Sequence, residues 1–316
     1  MSFVYRAYHA AARMPFQMTT KAGFPTGATY VFARTLKKLV EEHNPEYLIS
    51  CAEGGGSAFR EALFPAYKAN RKSEGTPNDL ARQFPFIERL LAAYRFPTVS
   101  VQDYEADDII GTLATKLYAD PDNQIFIVTG DKDMFQLVND RTFIVNPMKD
   151  LLADTQKVEM IVGVPPALVT AVMALRGDTV DNIPGAPGIG EKGSVSIIKE
   201  FGSLTAALDR AAEVKRKAYR ESLQNNRAQI ELSHKLVTIA CDAPIEPNVV
   251  DAKCRINQEA IKEIYRELEF QSLSGKEELA AVLDFAEINQ PEPPAQTDTR
   301  TTMDEATADK LIDSLF

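Results

Sequence analysis

Three groups of carboxylates stand out in this 316-residue chain. Glu105, Asp107 and Asp108 lie together in Glu-Ala-Asp-Asp, Asp131 and Asp133 flank Lys132 in Thr-Gly-Asp-Lys-Asp, and Asp178 and Asp181 share Gly-Asp-Thr-Val-Asp-Asn. Each group follows an apolar run that reads as a strand or sits in a tight turn. A helix N-terminus accommodates a carboxylate or two, because its free N–H groups and dipole favour negative charge. Seven are more than that role needs. If the groups converge, repulsion raises their pKa values or spreads them apart unless divalent cations sit between them. Ligands that are all oxygen select a hard ion such as Mg²⁺ or Mn²⁺. Two such ions about 3.5 to 4 Å apart can activate a water and clamp a scissile phosphate. His9, His43 and His234 lie outside these groups, so imidazole catalysis is not expected. Taken singly, each group reads equally well as a capped helix start or a polar turn. Taken jointly, at strand exits and a turn, they favour a functional site.

Such a site needs a scaffold that brings distant stretches together, and the pattern supplies one. Phe32, Leu36, Leu39 and Val40 follow helical spacing after Thr26, and residues 47–51 read as a short buried strand. The alternation continues with a helix at 78–94, a strand at 98–101, a helix at 106–118 and a strand at 124–128. This order implies a parallel sheet covered by helices, and ligand sites of such sheets lie at strand exits. After Asn146 the strand signal fades, and 165–176, 191–201, 204–212 and 214–236 read as helices. A late helix at 258–269 carries Ile261, Ile264, Tyr265 and Leu268 on one side. Residues 290–308 are rich in Pro, Thr, Glu and Gln, a composition with little to bury.

With 45% apolar residues the chain can bury a large core in two lobes. Its most apolar central stretch, 168–175, is far short of the ~20 residues of a membrane span. Residues 1–14 carry Arg6 and Arg13 without a sustained apolar block, so no secretory signal is read and a cytoplasmic setting is expected. Cys51, Cys241 and Cys254 show no paired spacing, which argues against a disulfide framework or a thiolate zinc site. The net charge of −10 runs against nucleic-acid binding. Basic residues nevertheless cluster at Arg60, Lys68, Arg71 and Lys72, at Lys192 and Lys199, and at Lys215, Arg216, Lys217 and Arg220. The last cluster reads as a solvated helix face.

Four motifs in order carry a resemblance: Tyr67-Lys68-Ala69-Asn70-Arg71, Glu105-Ala106-Asp107-Asp108-Ile109-Ile110-Gly111-Thr112-Leu113, Thr129-Gly130-Asp131-Lys132-Asp133-Met134 and Gly177-Asp178-Thr179-Val180-Asp181-Asn182-Ile183-Pro184-Gly185. They resemble the 5′-nuclease family, above all the N-terminal 5′-3′ exonuclease domain of bacterial DNA polymerase I and the flap endonucleases, from Tyr5 to about Leu273. The resemblance implies an α/β fold with a three-layer, PIN-like core and a mainly parallel sheet, a helical arch and a helix-hairpin-helix lobe. The expected division is a nuclease core with its arch at 1–150, a helical DNA-binding lobe at 151–285 and a disordered tail or linker at 286–316. The implied activity is structure-specific 5′-3′ exonuclease and 5′-flap endonuclease cleavage with two or more Mg²⁺ or Mn²⁺. Its partner would be DNA with a 5′ flap, nick or free 5′ end, bound by a monomer. The alternative is a catalytically impaired, flap-binding remnant or a polymerase fragment.

Roles carried over by the resemblance make Glu105, Asp107, Asp131 and Asp133 inner metal ligands, with Asp108, Asp178 and Asp181 in or near the second ion's shell. Lys68 and Arg71, three apart on a predicted helix, would face one phosphate. Tyr67 would stack on a terminal base, unless it is core. Gly185, Gly188, Gly190 and Lys192 fall in a segment resembling the hairpin of a helix-hairpin-helix element, which grips a duplex phosphate through backbone N–H groups, often with K⁺. Arg60 joins them as an expected DNA contact. Two departures from the family are plain. Its members begin with a central buried strand ending in Asp, shortly before the segment matching Tyr5-Arg6-Ala7-Tyr8-His9-Ala10. That first strand is missing here, so the natural chain is expected to start upstream, with Met1 an internal Met. Glu53 stands where the family shows Asp, and it is kept as a metal ligand.

Overall fold

The computed structural model describes residues 2–70, 76–245, 252–274 and 301–302. The first half runs α1 (Ser2–Ala12), β1 (Phe16–Gln17), α2 (Gly27–His43), β2 (Ser50–Cys51), α3 (Ala58–Leu63), α4 (Asn78–Tyr94), β3 (Thr98–Val99), α5 (Ala106–Tyr118), β4 (Ile125–Val128), β5 (Thr142–Asn146) and β6 (Leu151–Ala153). Helices follow: α6 (Thr155–Val162), α7 (Val169–Arg176), α8 (Glu191–Phe201), α9 (Leu204–Asp209), α10 (Lys217–Asn225), α11 (Arg227–Val237), α12 (Gln258–Glu267) and α13 (Gln271–Ser274). A two-residue strand, β7 (Thr301–Thr302), lies parallel to β1.

The α/β alternation is as expected, and β2–β3 and β4–β5 pair in parallel. The sheet is not one continuous ladder. β2–β3 and β4–β5–β6 are separate pieces, and among the described residues no strand joins β2 to β4. Helix α5 holds the two pieces together by packing on both β2 and β4. Ile109 and Leu113 of α5 meet Ile49, Cys51, Val99 and Val101 from the first piece.

Two expectations on elements are corrected. The strand pattern does not end at Asn146. The Asn146 side chain accepts a hydrogen bond from the Met148 amide (3.1 Å), turning the chain so that β6 returns antiparallel to β5. A run of three apolar residues has no readable period, so only its pairing makes it a strand. The helix predicted at 214–236 is two helices that break at Asn226, whose side chain bonds back to the Ser222 carbonyl (2.8 Å).

One apolar core joins Ile127, Met134 and Ile144 of the sheet region to Val172 and Leu175 of α7, Ile198 of α8 and Ile230 of α11. Within α7, Ala171, Val172, Met173, Ala174 and Leu175 are all buried, the mark of a helix surrounded by protein. A second core packs Tyr30 of α2 and Leu90 of α4 against Ile264 and Tyr265 of α12, with Phe270 beyond it. Among the described residues no single helix is long and apolar enough to cross a membrane.

Candidate active site

At the start of α5 the chain leaves extended backbone at Glu105, so three acidic side chains fan out from one turn. Asp108 points inward and is 0% exposed. Its carboxylate accepts both Nη atoms of Arg60 at 2.7 Å, the Ala240 amide at 2.8 Å and the Glu105 amide at 3.3 Å. Arg60 is 3% exposed and also donates to the Leu236 and Thr238 carbonyls, the Ser57 hydroxyl and Glu105. Burial opposes the Arg60 charge, but the hydrogen bonds and charge of Asp108 hold its pKa above the ordinary value. This forked pair ties α3, α5 and the end of α11 together. It corrects two expectations. Asp108 has no oxygen left to enter an ion's shell, and Arg60 has no donor left for DNA.

Glu105 collects donors from the other side. Its Oε2 accepts the Tyr67 hydroxyl (3.0 Å) as well as Arg60, and its Oε1 accepts the Lys68 ammonium. Tyr67 is 7% exposed, and burial with the Glu105 charge pushes its phenol well above the usual range. The expected base-stacking role of Tyr67 is therefore corrected: its ring is core and its hydroxyl steadies Glu105. Lys68 is half-buried and reaches Asp181 at 3.7 Å. It sits in a turn with φ 53°, not on the predicted helix. Arg71 lies outside the described residues.

Around this anchor lies an acidic array in which carboxylates outnumber the facing cations, Lys68 and Arg176. Asp107 is pushed up to about 7, by burial first and then by the charges of Asp131 and Glu53, with Lys68 pulling the other way. Asp133 rises to about 7 through burial and the charge of Asp131, opposed by Arg176, with smaller contributions from Asp178 and Asp181. The Asp131 carboxylate accepts the Asp133 amide at 3.0 Å, and Glu53 reaches the first amide of α5, Ala106, at 3.2 Å. The structure thus brings Glu53, Glu105, Asp107, Asp131, Asp133, Asp178 and Asp181 into one electrostatic field. Crowded oxygen donors carrying excess negative charge suit hard divalent ions. Among the described residues, however, no three His, Cys, Asp or Glu side chains converge closely enough to form a finished cage. The array fits such ions in donor type and charge, as an open set of ligands.

The turn after α7 completes the site. Gly177 and Gly185 cross so closely that a Cβ on either would strike the other's backbone within 2.9 Å, and both have positive φ. Side chains are thereby excluded from both positions. Gly185 is buried, donating to the Ser233 hydroxyl and accepting from Gln229, which corrects its expected DNA contact. Gly188, Gly190 and Lys192 remain exposed at the start of α8.

Sequence reasoning missed four participants. Arg176 is the cation facing Asp133. The Arg6 guanidinium lies against Gly130, where a Cβ would come within 1.5 Å of it. Asn70 and Asn182 bond the Tyr67-Lys68 segment to the acidic turn. Arg6, Asn70 and Asn182 stand inside the motif segments, but their types name no partner, and only the glycine at position 130, a sign of close approach, hinted at a contact.

Comparison with known proteins bears on the family and the fold. Residues 1–163 match the 5′-3′ exonuclease N-terminal resolvase-like domain, and residues 164–260 match the 5′-3′ exonuclease C-terminal SAM fold. The chain is 35% identical to a 5′-3′ exonuclease of Aquifex aeolicus, over 86% of this chain and 91% of that protein. It is also 35% identical to DNA polymerase I of Bacillus subtilis, over 98% of this chain but 34% of the relative. The chain thus spans about a third of the length of that polymerase. Its fold is similar to that of a bacteriophage T5 flap endonuclease, in a pseudo-enzyme–product complex with DNA and metal ions, at a TM-score of 0.60 and 20% identity, covering 84% of this chain and 95% of that one.

Proposed function

Because this chain belongs to the 5′-3′ exonuclease family, we propose that it hydrolyses DNA phosphodiester bonds at 5′ ends and 5′ flaps with divalent metal ions. The observation that carries this reading is the position of Lys68, in contact with Glu105 at the edge of the Asp107, Asp131 and Asp133 array. A phosphate brought there meets the Lys68 ammonium on one side and a bank of carboxylate oxygens on the other.

Asp107, Asp131 and Asp133 would hold the ions, with Glu53, Glu105, Asp178 and Asp181 beside them. Mg²⁺ or Mn²⁺ bound there supplies an activated water and neutralises charge on the scissile phosphate. Lys68 leaves Glu105 for a non-bridging phosphate oxygen, donating hydrogen bonds that strengthen as charge develops. Tyr67 and Arg60 keep Glu105 in place during that exchange. The amides of Gly188 and Gly190, with Lys192, take a duplex phosphate away from the cut, a contact that grips DNA without reading sequence. K⁺ at that hairpin and a monomeric state belong to the same proposal.

The test is cleavage of a 5′-flap duplex with Mg²⁺ or Mn²⁺, with Asp131→Ala as control. Cleavage that Asp131→Ala abolishes supports the reading. A second reading, a flap-binding remnant, is favoured by the absence of a finished ligand cage among the described residues and by Glu53 reaching the α5 backbone. Tight flap binding without Asp131-dependent cleavage would establish it.

A further inference from the structure

Lys68 has a backbone conformation that lysine rarely adopts, φ 53°, so something must hold it there. Three hydrogen bonds do so, all reaching the turn between α7 and the hairpin. The Asn182 side-chain amide donates to the Ala66 carbonyl at 2.6 Å. The Lys68 amide donates to the Asp181 carbonyl at 3.0 Å. The Asn70 side-chain amide donates to the Thr179 carbonyl at 2.6 Å. Residues 66, 68 and 70 are thus pinned in order against 182, 181 and 179, as in a short ladder with side-chain amides standing in for two backbone donors.

The turn is stiff enough to serve as an anchor. Asp178 and Ile183 exchange backbone hydrogen bonds at 2.9 and 2.6 Å, and the Asp178 carboxylate accepts the Val180 amide at 2.7 Å. Asn182 has φ 58°, a left-handed conformation that asparagine tolerates better than most residues. Its side chain then projects back across the turn to Ala66.

We infer that Asn182 and Asn70 are positioning residues that hold Lys68 over the carboxylates, coupling the catalytic lysine to the turn that leads into the DNA-gripping hairpin. This rests on the nuclease reading for its catalytic consequence, but the clamp itself is independent of it. Neither asparagine touches the reacting phosphate. They act by fixing the lysine, and a misplacement of about 1 Å in such a group costs on the order of 10²-fold in rate.

Asn182→Gly tests the clamp, because glycine keeps the left-handed backbone and removes only the amide donor. On a 5′-flap duplex with Mg²⁺, the single-turnover rate is expected to fall about 10- to 100-fold. Flap affinity should change less than about two-fold, since the phosphate-gripping amides are untouched. In a Lys68→Ala background the same change should add no further loss, because the group being positioned is gone. An equal loss in both backgrounds, or no loss in either, overturns the inference. Hydrogen exchange at the Lys68 amide, measured without DNA or metal, gives a second readout. It should accelerate in Asn182→Gly while the amides of α7 keep their protection. If the parent chain leaves the flap uncut, the nuclease reading fails, and unchanged exchange at Lys68 is then the result that overturns the clamp.

Discussion

Asp107 and Asp108 are neighbours in the chain and live in opposite electrostatic worlds. Asp108 is sealed against Arg60, with every oxygen engaged by a donor. Asp107 faces Asp131 and Glu53 and is pushed up to about 7. The same contrast divides the whole acidic array. One half is a neutralised buried network that joins three elements, and the other is an open set of carboxylates with too little positive charge. Carboxylates that build the fold here come with their counter-charge, whereas those left short of it are the ones proposed to hold ions.

Breaking the satisfied half should have the largest effect on stability. Arg60→Ala leaves Asp108 buried and unpaired, at a cost of about 3 to 5 kcal/mol. Arg60→Lys should recover little of it, because an ammonium cannot reproduce the two-pronged contact. Denaturant unfolding measures both, and a loss under about 1 kcal/mol for Arg60→Ala would erase the distinction between the halves. The reverse is expected in the open half. Asp133→Asn should lower flap cleavage at least about 10²-fold while raising the midpoint of thermal unfolding of the metal-free protein, since it relieves repulsion.

The pH dependence sharpens the contrast further. Asp107 and Asp133 have folded pKa values raised to about 7, above the usual carboxylate value. The folded state therefore holds more protons than the unfolded chain between about pH 4 and 7. Their contribution to stability is fullest at the acid end and is lost as pH rises through 7. The metal-free protein should lose a few kcal/mol over that window from these two groups. Adding Mg²⁺ should restore most at the alkaline end, and thermal unfolding at pH 5, 6, 7 and 8 with and without the ion reads both. A metal-free midpoint that rises with pH would contradict the assignment. The smallest effect is expected at the hairpin. Lys192→Ala should weaken flap binding modestly and reduce its salt slope by about 1, as loss of one phosphate contact does.

Much of this was legible in the residues. Helices 78–94, 106–118 and 191–201 match α4, α5 and α8, because their apolar stripes are long enough to show a period. The acidic groups were found because they cluster and follow strands. Which carboxylate is sealed by a cation was not legible, because Arg60 is 48 residues from Asp108 and a motif says nothing about which face of a turn each acid takes. The Lys68 segment read as helix by spacing, yet its hydrogen bonds go to a turn more than a hundred residues away.

What the sequence determined by itself was the inventory: the acidic groups and their order, the alternating helices and strands, and the glycine-rich turn that follows the last acidic group. These follow from local periodicity and backbone sterics, which act over a few residues. What only the tertiary structure decided was allegiance: Asp108 to Arg60, Tyr67 to Glu105, Asn182 to Ala66. Charge and hydrogen bonding act through space, so a carboxylate's role is set by what the folded chain places beside it.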